Sequence, residues 1–189
     1  MSKFSSCNTT TKDRLFNQYC SSMYGSQLWL LNGSGISKML TQWRKAHRII
    51  LSVPNMTHCD LLPLIADNPP LECMLESKFI SFYKTVVNSD NSVVRFIANN
   101  CSSHNITSRL GRNIDHSLSK YSLSKDEVIS ISKCKFKELS YNHWLNNVNP
   151  DYYIYSNMIK DMLLMKEDRL NRTFSNEECT LFINFLCTI

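Results

Sequence analysis

The amino-acid sequence predicts an all-α protein, folded either as one irregular helical bundle or as two small helical lobes. Four glycines and five prolines in 189 residues leave few breaks in the chain. This composition favours helices joined by polar loops over many short strands. Apolar residues recur every three or four positions, and no segment shows the sustained alternation that is typical of a strand.

The first half of the chain contains several segments with helical spacing of apolar residues. They cover residues 11–23, 36–52, 61–65, 71–86 and 92–97. The segment 36–52 has the clearest apolar stripe, and we expect it to form the longest early helix. Pro54 ends it, because a proline disfavours helical geometry in the residue before it.

A polar stretch, residues 99–108, is predicted to be a loop that separates region 1–98 from region 109–189. Beyond it, helices are expected from Ile106 to Leu118, over 134–146 and after Pro150. Ser124 and Ser175 each precede an acidic residue at capping-box spacing, which predicts two further helix starts.

The formal charge of +5 is unevenly distributed along the sequence. Residues 1–60 carry seven Lys/Arg and two Asp/Glu, and the later thirds are nearly neutral. A basic face suits a phosphate polyanion, although an ordinary solvated surface explains +5 equally well. Arg44, Lys45 and Arg48 lie outside the apolar stripe of 36–52, so they are the candidate nucleic-acid-binding residues. The alternative is a solvated flank with Trp43 as a buried anchor.

Other chemistries have little support in the sequence. The eight cysteines follow no secretory signal, so we expect free thiols, mostly buried, and an intracellular protein, cytoplasmic or nuclear and not secreted. His58 and Cys59 are adjacent but lack two more ligands at zinc-site spacing. The chain has no Asp-Asp pair and no glycine-rich phosphate loop. We therefore predict no catalytic, metal or cofactor site.

The chain contains the blocks YGSQLW at residues 24–29, WRKAHR at 43–48 and THCDLLPLI at 57–65. Together they resemble the segment that follows the palm in LINE-class non-LTR retrotransposon reverse transcriptases of the jockey and chicken-repeat kind. Residues 24–29, YGSQLW, are similar to the family's YGS-x-LW block. Residues 43–48, WRKAHR, resemble its WRKAxRR helix. His47 and Met56 each stand where the family often has arginine. Residues 57–65, THCDLLPLI, are similar to THCxLLPLI, and Phe174-Ser175 resembles the family's last helix.

The resemblance implies thumb helices in region 1–98 and a helical C-terminal extension in region 109–189. The parent would be an RNA-directed DNA polymerase that primes at a nick in target DNA. Its palm, with the Tyr/Phe-x-Asp-Asp motif, would precede Met1, which we expect to be an accidental start in a truncated element; Ile189 would be the natural stop. The chain is therefore expected to be inactive alone.

By resemblance, the partner would be RNA or an RNA–DNA hybrid, bound weakly and without sequence preference. His47 would add to the three cations when protonated. The alternative is a host-retained helical module that binds protein, and an enzyme in its own right is a third, less favoured hypothesis.

Overall fold

The structure, a computed structural model, describes residues 9–20, 22–103 and 108–168. In these ranges all regular elements are helical and no strand occurs, which confirms the predicted all-α class. The helices are α1 (Thr9–Cys20), α2 (Ser34–Leu51), α3 (Leu61–Ala66), α4 (Leu71–Val87), α5 (Ser92–Ser103), α6 (Arg109–Tyr121), α7 (Lys125–Ser130), α8 (Lys133–Asn147) and α9 (Asp151–Asp168). A short 3-10 helix covers Ser26–Leu28.

Helix α2 confirms the strongest periodicity in the sequence. It ends one residue earlier than expected, because Ser52 adopts a left-handed conformation (φ 56°). Two hydrogen bonds close the end, from Ser52 N to Ile49 O and from Val53 N to Arg48 O. This is the Schellman arrangement, which satisfies carbonyls that the helix itself leaves without partners.

The chain divides into two compact units. Unit 1 comprises residues 1–22, 41–69 and 148–189, and unit 2 comprises residues 23–40 and 70–147. This division differs from the regions 1–98 and 109–189. The expected loop 99–108 is helical as far as Ser103, within α5, and α5 packs against α6 inside unit 2. The polar residues in the last turn of α5 are therefore helical rather than part of a loop.

The core of unit 1 forms where α3 packs against α9. Its buried members are Leu51, Val53, Leu61, Leu62, Ile65 and Ile159. Helix α1 is joined to this unit by Asp13, which accepts a hydrogen bond from Asn68 Nδ2 at 2.7 Å. The apolar run at residues 61–65 thus forms part of a core, as its composition suggests.

Helix α4 is the centre of unit 2, where it contacts α5, α6, α7, α8 and the 3-10 helix. Most of its circumference is buried, including Leu75, Phe79, Ile80 and Tyr83. A helix that is apolar on several sides is suited to such a central place. The loop at residues 29–31 is fastened to α6, because Asn113 bonds both Trp29 O (2.7 Å) and Leu31 N (2.9 Å).

Two further sequence predictions concern helix starts. Ser124 and Glu127 form the complete predicted capping box at the start of α7, with both reciprocal bonds present. The one expected at Ser175, the match at Phe174-Ser175 and the expected stop at Ile189 lie outside the described residues. No helix in the described part of the chain is long and apolar enough to cross a membrane.

Candidate nucleic-acid interface

The three candidate cations of α2 have different surroundings. The Lys45 side chain is exposed and the Arg44 side chain is half-buried. Arg48 is engaged within unit 1: its Nε and Nη2 donate to the carbonyl oxygen of Thr57 at 3.0 and 2.8 Å. Its Nη2 also lies 3.3 Å from Cys59 Sγ. The Arg48 guanidinium therefore holds the loop that follows α2.

Trp43 and His47 form the packing side of α2 in this unit. The Trp43 ring centroid lies 4.6 Å from that of Phe16 in α1 and 5.1 Å from that of His47. Trp43 is half-buried rather than fully buried. It still acts as the packing anchor that the sequence suggested.

His47 adds no positive charge to this flank at neutral pH. The side chain is 6% exposed, and burial lowers its pKa to about 4. Its Nε2 finds no hydrogen-bond partner among the described residues. Desolvation favours the neutral imidazole, so the expectation of a charged His47 is not met. Of the three candidate cations, Lys45 is the most exposed, Arg44 is half-buried and Arg48 is bonded to Thr57 O.

The residues considered for metal binding are part of local structure instead. His58 Nδ1 lies 3.5 Å from a carboxylate oxygen of Asp60 and accepts a hydrogen bond from the Asp60 backbone N–H at 3.3 Å. Cys59 lies beside Arg48. Among the residues that the structure describes, no three His, Cys, Asp or Glu side chains are grouped so that they could hold a metal ion.

The cysteines do not follow the expectation that most would be buried. Of the five described, only Cys73 is buried, whereas Cys20 and Cys134 are exposed and all five are free thiols. Burial, followed by the charge of Glu76, raises the pKa of Cys73 to about 12. Since the thiolate is the nucleophile, this cysteine is chemically inert near neutral pH.

A buried network of polar groups around Glu76 in unit 2 was not predicted from the sequence. Glu76 of α4 is 3% exposed and receives Lys120 Nζ at 2.7 Å on one oxygen and the Tyr121 hydroxyl on the other. His116 Nε2 lies 3.8 Å away. Burial alone would raise the pKa of Glu76, but His116, the Lys120 charge and the Tyr121 hydrogen bond outweigh it and hold the pKa below its usual value.

A weak sequence signal for this network does exist. Glu76 lies three residues after Cys73 and four before Ile80, on the apolar face of α4, where an acid requires a partner. His116 and Lys120 are one turn apart on α6 and therefore share a face. The pairing itself depends on how α4 and α6 pack. Its saturated contacts make it a structural ion pair rather than a reactive centre.

No protein-family model, curated protein or solved structure matches this chain.

Proposed function

We propose that this chain is a non-catalytic helical segment that contacts nucleic acid, like the thumb side of a LINE-class reverse transcriptase. The observation that supports the proposal is the cationic flank of α2, where Lys45 is exposed and Arg44 is half-buried beside it. The partner would be RNA or an RNA–DNA hybrid, inside the cell in the cytoplasm or nucleus. The resemblance of residues 24–29, 43–48 and 57–65 supports the same assignment.

Contact through two cations would position the chain without reading bases, because phosphate contacts carry no sequence information. Each phosphate that is neutralised contributes roughly one unit to the slope of log affinity against log salt. We therefore expect Arg44 and Lys45 together to account for a slope of about two. Binding should be weak, on the order of micromolar or weaker, which is typical of sequence-independent contacts.

The test is a salt titration of binding to a short RNA–DNA hybrid. The Arg44→Ala/Lys45→Ala variant should lose about two units of slope. The matched control is Lys12→Ala/Arg14→Ala, which removes two cations from α1 in the same unit. If the two variants bind equally well, or as well as wild type, α2 is a solvated flank and the assignment fails.

Arg48 requires separate treatment, because its guanidinium is held by Thr57 O. Arg48→Ala should lower the free energy of unfolding by about 2 kcal/mol, the scale of hydrogen bonds to a charged group. It should leave the salt slope nearly unchanged. A loss of slope without a loss of stability would instead place Arg48 in the nucleic-acid contact.

A second candidate function, a protein-interaction module, is favoured by one observation. Helix α5 exposes Val93 (62%), Phe96 (67%) and Ile97 (54%), together with Val94, on one continuous face. Apolar faces of this kind are typical of protein contacts. A photocrosslinker at position 96 would distinguish the candidates in cells: a reproducible protein adduct, abolished by Ile97→Glu, favours the module, and nucleic-acid adducts favour the first proposal.

A further inference from the structure

The surplus positive charge of the folded protein belongs mainly to unit 2. In the described part of the chain, that unit contains eleven Lys/Arg and seven Asp/Glu, a balance of +4, whereas unit 1 contains seven of each. One of the seven acids, Glu76, is buried and bonded to Lys120. Arg44, Lys45 and Arg48 all lie in the nearly balanced unit 1.

Within unit 2, lysines gather where α8 begins. Lys133, Lys135 and Lys137 occupy its first two turns, all exposed, and residues 128–137 contain no acid. Lys84, near the end of α4, donates a hydrogen bond from its ammonium group to the carbonyl oxygen of Ile131. The end of α4 and the start of α8 are therefore held side by side.

Lys78 brings a further positive charge to this place. It is half-buried on α4, and its pKa is lowered first by burial and then by the positive charge of Lys133. Two like charges this close repel one another. The first turn of α8 adds the partial positive charge of a helix N-terminus.

The register of α8 determines which lysines share this side. Phe136 and Ser140 are buried, and Cys73 of α4 bonds Ser140 O at 3.4 Å, so this face of α8 packs on α4. With 3.6 residues per turn, Lys133 and Lys137 flank that face and Lys135 points away from it. We define the lysine ridge as Lys133 and Lys137 of α8, with Lys84 of α4 held beside them through Ile131 O.

We propose that the lysine ridge binds the phosphodiester backbone of a nucleic acid, as a contact surface separate from Arg44 and Lys45. Lys133 and Lys137 are one turn apart, roughly 6 Å along the helix axis. A nucleic-acid strand carries a phosphate about every 3.4 Å, so each lysine finds one along a single strand.

An anionic membrane and an acidic protein surface fit the lysine ridge less well than a nucleic acid does. Residues 132–138 expose no large apolar side chain, and a membrane-binding surface usually combines basic residues with apolar ones that insert. Acidic protein surfaces mix charges of both signs, whereas a nucleic-acid strand carries negative charges at a close and regular spacing.

The test is the Lys133→Ala/Lys137→Ala variant, because Lys84 supports the fold through Ile131 and Lys78 is half-buried. Binding of the full chain to a labelled RNA–DNA hybrid would be followed by fluorescence anisotropy over a range of salt concentrations. We expect the log–log slope to fall by about two and the affinity at low salt to fall about tenfold. The matched control is Arg109→Ala/Arg112→Ala, which removes two exposed cations of α6 in the same unit.

Loss in the ridge variant and not in the control supports the ridge, provided that both variants retain the wild-type circular dichroism and melting temperature. Equal loss in both variants, or none in either, overturns it. So does ridge-dependent binding to phosphatidylserine vesicles or to polyglutamate without binding to the hybrid. The Arg44→Ala/Lys45→Ala variant, measured in parallel, shows separately whether the proposed function fails.

Discussion

His47 occupies a position where the resembled family often has arginine, and its ring is buried against Phe16 at a centroid distance of 5.1 Å. A base whose pKa falls from 6.5 in the unfolded chain to about 4 in the fold binds its proton less readily when folded. Below pH 6.5 the unfolded state gains protons that the folded state does not. Stability is therefore lost as the pH falls towards 4.

Replacing His47 by a residue that does not titrate should weaken this pH dependence. Between pH 6.5 and about 4, wild type should lose at most about 3 kcal/mol of unfolding free energy through His47. His47→Phe keeps a ring beside Phe16 and Trp43 and has no titrating nitrogen. Urea unfolding at the two ends of this range should show a smaller loss in the variant. Equal losses in both proteins would mean that His47 is not buried as described.

Glu76 gives a second prediction for a single residue. Glu76→Ala removes the partner of Lys120 and leaves the Tyr121 hydroxyl without its acceptor. We expect the free energy of unfolding to fall by about 3 kcal/mol, the scale for breaking a buried pair. Glu138→Ala on the exposed side of α8 is the control, and it should change stability by no more than about 0.5 kcal/mol. Similar values for the two variants would contradict the buried network.

The helix ends show how a chain with four glycines builds its turns. Ser52, Asp67 and Ser122 adopt left-handed conformations directly after α2, α3 and α6. In each case the backbone N–H of the following residue donates a hydrogen bond to a carbonyl oxygen of the helix, as Leu123 N does to Leu118 O at 3.1 Å. A side chain in this conformation costs roughly 1–2 kcal/mol, which glycine avoids.

Ser122→Gly tests this arrangement. The residue is exposed and its φ is 53°, so glycine should stabilise the protein, by up to about 1 kcal/mol after its greater freedom in the unfolded chain is counted. Ser119→Gly, exposed within α6 itself, should instead destabilise by about 0.5–1 kcal/mol. Thermal melts would show opposite shifts. Shifts in the same direction would contradict the left-handed cap.

The whole chain is expected to lack polymerase activity. Two-metal phosphoryl transfer needs carboxylates that clamp both cations, and the sequence contains no Asp-Asp pair. The neighbouring acids Asp126 and Glu127 lie in the first turn of α7, where Glu127 completes the capping box. Purified protein should therefore not extend a primer on an RNA template. Extension above the level of a buffer blank would refute a non-catalytic role.

The sequence by itself determined the helical class, the extent of α2 and the capping box of α7. These features depend on residues close together in the chain: a repeat of about 3.6 residues, a proline near a helix end, and an acid three positions after a serine. The predicted loop at residues 99–108 was also inferred from neighbouring residues alone, and this explains why it was wrong for residues 99–103. Residues 99–103 are polar, yet they continue α5, because α5 packs against α6.

Only the tertiary structure decided which charged groups face solvent and which face one another. Arg48 and Lys45 look equivalent in the sequence, yet one holds Thr57 O and the other is exposed. Summed along the chain, the surplus charge falls in residues 1–60; summed over the folded units, it falls mostly in unit 2. Lys78 and Lys133 are 55 positions apart in the sequence. Electrostatic interaction depends on distance in space, which only the packing of α4 against α8 supplies.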